Sequence, residues 1–269
     1  MGHVEVHATA VVSPGARIGV NVKIGPYSVV GEEAMLDDGV ELLSHVVVTG
    51  RTAIGAGTRI FPFASIGHQP QDLKYEGEES RLAIGERCVI RENVTINPGT
   101  RGGGMLTSIG NDCLVMANSH IAHDCRIGNN VVVAAFVALA GHCQIADFVA
   151  FGGMCGVHQY VRIGAHAFIG AHSMIDADVI PYGMAVGNRA RLAGLNLVGL
   201  RRRKFDRESI HTLRTAYRML FSSEGTLRER IEDAATMFKS ESLVQDVVSF
   251  IAASTDRPLC LPRNGASEE

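Results

Sequence analysis

The segment IGVNVKIGPYSVVGEEAMLDDGVELLSHVVV, residues 18–48, places an aliphatic residue at every sixth position. The positions that carry this register are Ile18, Ile24, Val30, Leu36, Leu42 and Val48. The same register extends from Val6 to Ile66 and, shifted by one residue, from Ile109 to Ile175. A period of six does not fit the 3.6-residue repeat of an amphipathic helix, but it is a multiple of the two-residue repeat of a strand. Each hexad therefore predicts one short strand and one turn.

Stacking such hexads predicts a parallel β-helix. Three hexads make one coil of 18 residues, successive coils pair their strands, and the aliphatic side chains fill a narrow prism. A shorter stretch of the register, from Ile84 to Ile96, joins the two long stretches. The composition agrees with this, because 46% of residues are hydrophobic, only 6% are aromatic and 30 are glycine. Such a chain suits an aliphatic core divided among many short strands and tight turns.

Five cysteines repeat in the same register. Each lies two residues before the next aliphatic position, which is also an inward position in a strand with a two-residue repeat. These residues are Cys88, Cys113, Cys125, Cys143 and Cys155. No C-x-x-C pair is present. We therefore expect reduced thiols that fill the core, with no disulfide or metal role.

Two segments break the register and predict loops. GHQPQDLKYEGEESRL puts Asp72 and Glu78 at ladder positions, so we expect a loop at 67–83. NPGTRGGGML, residues 97–106, contains three consecutive glycines and shifts the register by one, which predicts a second loop at 97–108. No helix pattern follows these glycines, so the segment is not a phosphate-binding loop. Loops on a repeat scaffold are where specificity usually resides.

The hexads stop after Pro181, and helical patterns follow. One of them opens with a capping box at Thr226. We therefore divide the chain into a β-helix at 1–188 and a small α-helical C-terminal domain at 189–269. We expect the apolar faces of these helices to pack on one another and on the end of the β-helix. The final residues, RPLCLPRNGASEE, predict a frayed end.

The charge is unevenly divided between these two regions. Residues 1–188 carry 11 basic against 17 acidic side chains, a balance of −6, and residues 189–269 carry 14 against 11, a balance of +3. The basic excess is concentrated at 201–204, which is too local for a nucleic-acid surface and better suits a phosphate group or a small acidic partner. The longest apolar run, VVVAAFVALAG, is too short to span a bilayer, and no secretory signal begins the chain. We expect a cytoplasmic protein with no stable membrane insertion.

The segment HIAHDCRIG, residues 120–128, contains a candidate site. With a coil of 18 residues, four of the eleven histidines gather on one corner over three coils: His120, His123, His142 and His158. Adjacent coils lie about 4.8 Å apart, which puts Gly141 next to His123. Asp124 can orient His123 as a base, and Gly141 can offer a backbone N–H to a developing oxyanion. A zinc site across a subunit boundary, as in β-helix carbonic anhydrases, is the main competing hypothesis.

Several motifs resemble one particular family. GHQPQDLKY, HIAHDCRIGNN, LAGH, GGMCGVHQYVRIGAH and GLRRRKF occur in this order, with this repeat count and a helical tail. Over residues 4–255 they resemble the UDP-N-acetylglucosamine acyltransferases of lipid A biosynthesis, which are hexapeptide-repeat acyltransferases. The resemblance implies a mainly β fold, a left-handed parallel β-helix of hexapeptide repeats followed by a small α-helical domain. It also implies a homotrimer with active sites between subunits.

The resemblance implies a reaction and a set of site residues. A (R)-3-hydroxyacyl chain would pass from acyl carrier protein, on its phosphopantetheine arm and with no other cofactor, to the 3-position of the glucosamine of UDP-N-acetylglucosamine. His123 would be the general base, Asp124 its holder, and Gly141 the oxyanion donor. The residues matching substrate contacts are Gln71, Asp72, Lys74, His120, His142, His158, Gln159, Ala171, Asn196, Arg202 and Arg203. Arg201 and Lys204 are expected to be solvated, and no metal is expected.

The chain departs from the family pattern at two positions near the nucleotide. Val198 stands where better-known members have a glutamate, and Arg189 replaces a histidine. A 3-amino sugar acceptor, giving an amide product, therefore stays open beside the 3-hydroxyl. Ala171 lies at the end of the acyl groove and implies a medium to long donor. Further hypotheses are the related N-acyltransferase of the same pathway, another β-helix acyltransferase, a structural β-helix without activity and a metal-dependent hydratase.

Overall fold

Short strands dominate the structure, a computed structural model that describes residues 3–253 and 257–263. The strands, in chain order, are β1 Glu5–Val6, β2 Val11–Val12, β3 Arg17–Ile18, β4 Lys23–Ile24, β5 Val29–Val30, β6 Met35–Leu36, β7 Glu41–Leu42, β8 Val47–Val48, β9 Arg51–Ile54, β10 Arg59–Ile60, β11 Ser65–Ile66, β12 Arg81–Ile84, β13 Val89–Ile90, β14 Thr95–Ile96, β15 Leu106–Ile109, β16 Leu114–Val115, β17 His120–Ile121, β18 Arg126–Ile127, β19 Val132–Val133, β20 Ala138–Leu139, β21 Gln144–Ile145, β22 Ala150–Phe151, β23 Gly156–Val157, β24 Arg162–Ile163, β25 Phe168–Ile169, β26 Met174–Ile175, β27 Gly183–Val186 and β28 Arg191–Leu195.

These strands form the three faces of a left-handed parallel β-helix. Sheet A runs β1-β4-β7-β10-β13-β16-β19-β22-β25-β27-β28, sheet B runs β2-β5-β8-β11-β14-β17-β20-β23-β26, and sheet C runs β24-β21-β18-β15-β12-β9-β6-β3. Ile24 pairs with Leu42, and Leu42 pairs with Ile60, so paired residues are 18 apart. The predicted coil of three hexads is confirmed.

The inward residue of each strand builds the core. Ile24, Ile60 and Ile121 are 2%, 0% and 0% exposed, and the aliphatic ladder continues in this way through the prism. All five cysteines of the hexads are buried, as predicted, and their thiols are free in the structure. Their thiols donate to carbonyl oxygens of neighbouring turns, as Cys125 does to Ala140 at 3.2 Å. Truncating one core isoleucine to alanine would cost about 2–5 kcal/mol of folding free energy.

Many corners of the prism hold a non-glycine residue in the left-handed backbone region. Asn21, Tyr27, His45 and Phe63 have φ of 57°, 59°, 57° and 65°. This conformation costs a non-glycine residue roughly 1–2 kcal/mol, and a tight turn with positive φ at its third residue requires it. Stacking between coils offsets part of this cost, because the rings of Tyr27, His45 and Phe63 follow one another at 5.0 Å. The sequence had not predicted these backbone positions.

Both loops leave the prism at the corner between sheets B and C. The first joins β11 to β12 and the second joins β14 to β15. Paired residues Ile66 and Ile96 are 30 apart, so the first loop adds 12 residues to the 18 of a coil. Both loops end three residues earlier than predicted, at 80 and 105, because Arg81–Ile84 and Leu106–Ile109 pair with each other as four-residue strands. A turn of 3-10 helix, Arg101–Gly103, lies within the second loop.

Sheet A ends in an antiparallel hairpin. Strands β27 and β28 pair with each other beyond β25. The predicted domain boundary at 188/189 falls between these two strands, so the part assigned to the helical domain begins with strand β28, which completes sheet A. Four helices follow: α1 Leu197–Arg202, α2 Arg207–Leu220, α3 Leu227–Met237 and α4 Ser242–Ala252.

The helices pack on one another and on the last coils. Leu213, Ala216 and Val247 are buried between them. Arg162 on sheet C donates to the carbonyl of Phe250 at 3.1 Å, which ties α4 to the β-helix. The capping box predicted at Thr226 is present at the start of α3. In the described residues, no helix is long and apolar enough to cross a membrane.

The chain end is ordered further than the sequence predicted. The N–H of Asp178 donates to the carbonyl of Pro258, and its carbonyl accepts the N–H of Cys260, both at 2.8 Å. Cys260 is 1% exposed, and burial raises the pKa of its thiol to about 11. The prediction of fraying is wrong for 257–263, where the backbone pairs with the last coil. The rest of the predicted frayed end, 264–269, lies outside the described residues.

Candidate active site

His123 and Asp124 occupy the corner that follows strand β17. Ile121 points into the core, so the chain turns at once, and Asp124 takes the positive-φ position with φ of 59°. His123 is 5% and Asp124 3% exposed. Two buried polar residues at a turn need internal partners.

A hydrogen bond joins the two side chains. His123 Nδ1 lies 2.9 Å from Asp124 Oδ2. Since an ionised carboxylate only accepts, Nδ1 carries the hydrogen and Nε2 of the neutral ring keeps its lone pair. On that side, Asp72 Oδ2 lies 3.8 Å from Nε2, too far for a hydrogen bond. Among the described residues, Nε2 has no hydrogen-bond partner, so this nitrogen is open to a ligand beside the first loop.

Thr100, on the second loop, supplies the other hydrogen bonds to the Asp124 carboxylate. Its backbone N–H donates to Oδ1 at 2.8 Å, and its hydroxyl donates to Oδ2 at 2.6 Å. Burial alone would raise the pKa of Asp124, but the hydrogen bonds from His123 and Thr100 hold it below its usual value. Asp124 is therefore charged at neutral pH. Sequence reasoning missed Thr100, whose only signal was its position beside a register shift.

Gly141 lies directly against the ring of His123, as the coil length predicted. A Cβ on Gly141 would come 2.5 Å from Cε1 and 2.7 Å from Nε2 of His123. Glycine is required here because of this close approach. The backbone N–H of Gly141, which is a buried residue, has no acceptor among the described residues.

His142 and His120 flank the central pair. His142 packs edge-on against His123 with ring centroids 5.0 Å apart, and it stacks on Tyr160 at 4.3 Å. Burial lowers the pKa of both His142 and His120. His120 is held by Thr95, whose Oγ1 lies 2.7 Å from its Nδ1. Neutral imidazoles therefore line this side of the site.

The donor atoms of His123, Asp124 and His142 lie within 4.8 Å of one another, which is close enough to consider a metal ion. Asp124 Oδ2, however, already accepts from both His123 and Thr100. A metal would have to displace these bonds. We assign the group as a hydrogen-bonded cluster.

The first loop brings one predicted substrate residue to the cluster. The Asp72 carboxylate, 26% exposed, faces His123. Its Oδ1 also accepts the N–H of Lys74 at 3.0 Å, which turns the chain. Gln71 and Lys74 are exposed beside it.

His158 and Gln159 lie at the same corner but contact the chain end. Arg257 donates to Nδ1 of His158 at 2.7 Å and to the carbonyl of Gln159 at 2.9 Å. Because a guanidinium only donates, Nδ1 of His158 is the acceptor of this hydrogen bond. No sequence pattern indicated this contact, because Arg257 is 98 residues from Gln159.

Other predicted site residues lie at other corners. Ala171 follows β25, at the corner from sheet A to sheet B. Asn196 and Arg203 lie at the corner from sheet C to sheet A, where Asn196 donates to the carbonyl of His166 and Arg203 to that of Phe148. Asn196 also caps α1 by accepting from Gly199. Both side chains therefore have structural partners.

The four basic residues at the end of α1 differ in their exposure. Arg201, Arg202 and Lys204 are exposed, while Arg203 is half-buried with its guanidinium 5.2 Å from the Phe148 ring centroid. Burial lowers the pKa of Arg203. Arg189 and Val198, the two departures from the family pattern, are exposed, Val198 at 58%.

The fold and site define a class, the hexapeptide-repeat transferases. A family model described as bacterial transferase hexapeptide (six repeats) matches residues 106–141, and one for the hexapeptide repeat of succinyl-transferase matches 160–194. A third, Udp N-acetylglucosamine O-acyltransferase, Domain 2, matches residues 178–260.

Relatives that match nearly the whole chain identify the family within this class. The chain is 49% identical over 263 residues to the acyl-(acyl-carrier-protein)–UDP-N-acetylglucosamine O-acyltransferase of Bartonella quintana, covering 98% of this chain and 96% of that one. It is 51% identical over 261 residues to the enzyme of the same name from Rickettsia canadensis, covering 97% and 98%. The crystal structure of Francisella novicida UDP-N-acetylglucosamine acyltransferase has a TM-score of 0.92 and 35% identity, covering 97% of this chain and 95% of that one. The chain belongs to the UDP-N-acetylglucosamine O-acyltransferase family.

Proposed function

We propose that this protein transfers a (R)-3-hydroxyacyl chain from acyl carrier protein to the 3-position of the glucosamine of UDP-N-acetylglucosamine, the first step of lipid A biosynthesis. The observation that carries the proposal is His123, whose Nδ1 binds a buried, charged carboxylate and whose Nε2 faces Asp72 and Gly141. This is the arrangement of a general base with a holder. Full-length similarity to acyltransferases supports the choice of substrates.

In the proposed mechanism, His123 Nε2 takes the proton of the 3-hydroxyl as the oxygen attacks the thioester carbonyl. The charged Asp124 stabilises the imidazolium that forms, and the Gly141 N–H donates to the oxyanion of the tetrahedral intermediate. The imidazolium then returns the proton to the leaving thiol of the phosphopantetheine. The reaction needs no other cofactor, because the donor carries its own activated thioester.

The positions of the predicted contacts support a homotrimer. A rigid prism separates the corner of His123 from those of Ala171 and of Asn196 and Arg203. Residues on three different corners can line one cleft only if neighbouring subunits supply them. A closed cyclic assembly provides three equal clefts of this kind.

The remaining contacts are assigned by their chemistry. Gln71, Asp72 and Lys74 would bind the sugar and phosphate, and His120, His142, His158 and Gln159 would form the cleft wall. Arg202 and Arg203, with Asn196, would bind the diphosphate or the pantetheine arm, since guanidinium groups bind phosphate in a bidentate manner. Ala171 would shorten the acyl groove only slightly, which favours medium to long donors. The cytoplasmic location expected from the sequence stays a prediction.

Acyl transfer from 3-hydroxyacyl carrier protein to UDP-N-acetylglucosamine tests the proposal directly. We expect turnover by the wild type and a loss of about 10²- to 10⁴-fold in His123→Ala, the usual contribution of a positioned base. His211→Ala, at an exposed position on α2, is the matched control and should keep full activity. Equal rates in the wild type and His123→Ala would refute the assigned base, and faster transfer to a 3-amino acceptor would refute the assigned acceptor.

A further inference from the structure

The glycine-rich second loop packs its backbone on the Asp124 carboxylate. A Cβ on Gly103 would lie 1.9 Å from Cγ of Asp124, so only glycine lets the chain pass at this point. A Cβ on Gly99 would lie 2.1 Å from the backbone nitrogen of Leu106, where the loop returns to the prism. Gly104 ends the turn with φ of 91°. The glycines thus allow the loop to pack tightly against Asp124, and they do not serve to make the loop flexible.

Thr100 is the residue that this fold presents to the carboxylate. It is 5% exposed and donates twice, through its N–H to Oδ1 and through its hydroxyl to Oδ2. Because Asp124 is charged and only accepts, the Thr100 hydroxyl must be the donor. Oδ2 therefore shares its charge between the Thr100 hydroxyl and His123 Nδ1.

We propose that Thr100 is a positioning residue that fixes the rotation of the Asp124 carboxylate and thereby the orientation and proton affinity of His123. The inference rests on the proposed function, in which His123 is the base. A carboxylate held at both oxygens cannot rotate, so Nδ1 of His123 stays bonded and Nε2 stays aimed at the acceptor. The hydroxyl also withdraws charge from Oδ2, which weakens the hold of Asp124 on a proton at His123.

Two substitutions separate the hydroxyl from the backbone contact. Thr100→Val keeps the shape and the N–H but removes the O–H, and Thr100→Ser keeps both donors. We expect kcat of Thr100→Val to fall about 10-fold, the effect of losing one hydrogen bond to a charged group, with KM unchanged. Thr100→Ser should restore most of kcat.

The pH dependence of kcat/KM distinguishes a positioning role from a structural defect, because a structural defect alone would not shift it. The charged and titratable groups around His123 are Asp72, Asp124, His120 and His142. Without the hydrogen bond from the Thr100 hydroxyl, the Asp124 carboxylate stabilises the protonated imidazole of His123 more strongly. The acid limb of kcat/KM in Thr100→Val should therefore move to higher pH, whereas in Thr100→Ser it should stay in place.

Thr58→Val is the matched control for loss of a buried hydroxyl. Thr58 lies on an earlier coil, is 0% exposed, donates to the carbonyl of Gly85 at 2.8 Å and accepts from the N–H of Cys88. We expect this substitution to lower the unfolding temperature but to leave kcat and the pH profile unchanged. If Thr100→Val kept the wild-type kcat and profile, or if Thr100→Ser were as impaired as the valine variant, the proposal would be overturned.

A measurement independent of turnover separates this proposal from the proposed function. Nitrogen NMR of histidine-labelled protein should show His123 protonated at Nδ1 in the wild type and Thr100→Ser, and a changed signal in Thr100→Val. If the wild type does not turn over the proposed substrates but this change occurs, the proposed function fails and the positioning role stands. An unchanged His123 signal in Thr100→Val overturns the positioning role.

Discussion

At the scale of the residue, the active site depends on the absence of a side chain at Gly141 as much as on the groups present. The ring of His123 occupies the space in which a Cβ would lie. The backbone of Gly141 is thereby brought to the same side as Nε2, where the reacting carbonyl would be. One glycine thus places both the proposed base and the proposed oxyanion donor.

Gly141→Ala should lower kcat/KM about 100-fold while the fold survives. The methyl group would push the His123 ring aside, and displacements of about 1 Å in an active site have effects of this size. Kinetics and thermal unfolding, measured together, check this. Gly31→Ala is the control on an earlier coil, where the new Cβ would meet Thr49 at 3.3 Å, and it should keep full activity. An active Gly141→Ala would contradict the geometry.

The sequence predicted this group because the coil length places Gly141 beside His123 and because Asp124 follows His123 directly in the chain. Thr100 was not predictable in this way, since its place depends on how an aperiodic loop folds back on the prism. The positive-φ corners were missed because asparagine, histidine, tyrosine and phenylalanine all occupy them, so no single residue type marks the position. The periodicity thus predicts the positions of residues that repeat from coil to coil. It does not predict long-range contacts such as that of Arg257 with His158.

At the scale of the element, the helical domain contacts a stack of three rings on the β-helix. His166 lies between Phe148 and Tyr182, with centroids 4.7 and 5.5 Å away, and its edge contacts Phe205. Nδ1 of His166 is buried and has no partner in the described part of the chain. Burial first, and then the charge of Arg203, lower the pKa of His166, and Asp147 and Asp246 only partly oppose this.

This stack should make the protein sensitive to acid. The folded state keeps His166 neutral, whereas the unfolded chain takes up a proton below pH about 6.5. Stability is therefore present above that value and is lost as the pH falls below it toward the lowered pKa of the folded state. We expect the unfolding temperature of His166→Phe to fall less than that of the wild type between pH 8 and pH 5.5.

Phenylalanine is a suitable replacement for His166 because Phe148 occupies the same positive-φ position one coil earlier. Thermal unfolding across this pH range is the measurement, and His211→Ala, at an exposed site, should follow the wild-type curve. Parallel curves for the wild type and His166→Phe would show that His166 does not contribute to acid sensitivity.

At the scale of the whole molecule, the triangular section of the prism distributes the predicted contacts over three corners. A single chain cannot bring Arg202, on the helical domain, and His123 to one cleft if its prism stays rigid. The proposed trimer makes this separation useful, because each cleft would join the His123 corner of one chain to another corner of its neighbour.

Mixing two inactive variants tests this arrangement. Trimers assembled at random from equal amounts of His123→Ala and Arg202→Ala chains should recover about a quarter of wild-type activity, since one cleft in four pairs two intact corners. Each variant alone should stay well below this level. Co-expression, with the rate measured on purified mixed trimers, is the experiment. No gain over the better parent would contradict clefts shared between subunits.

Both loops leave the prism at one corner while the ladder on either side keeps its pairing, Ile66 with Ile96 and Ile84 with Ile109. The scaffold and the specificity of this enzyme can therefore change separately over evolution. A mutation in the core is constrained by every coil above and below it, whereas the loop of Asp72 can lengthen, shorten or be exchanged without moving His123. With the second loop left in place to hold Asp124, an engineer could graft the first loop from relatives to change the acceptor.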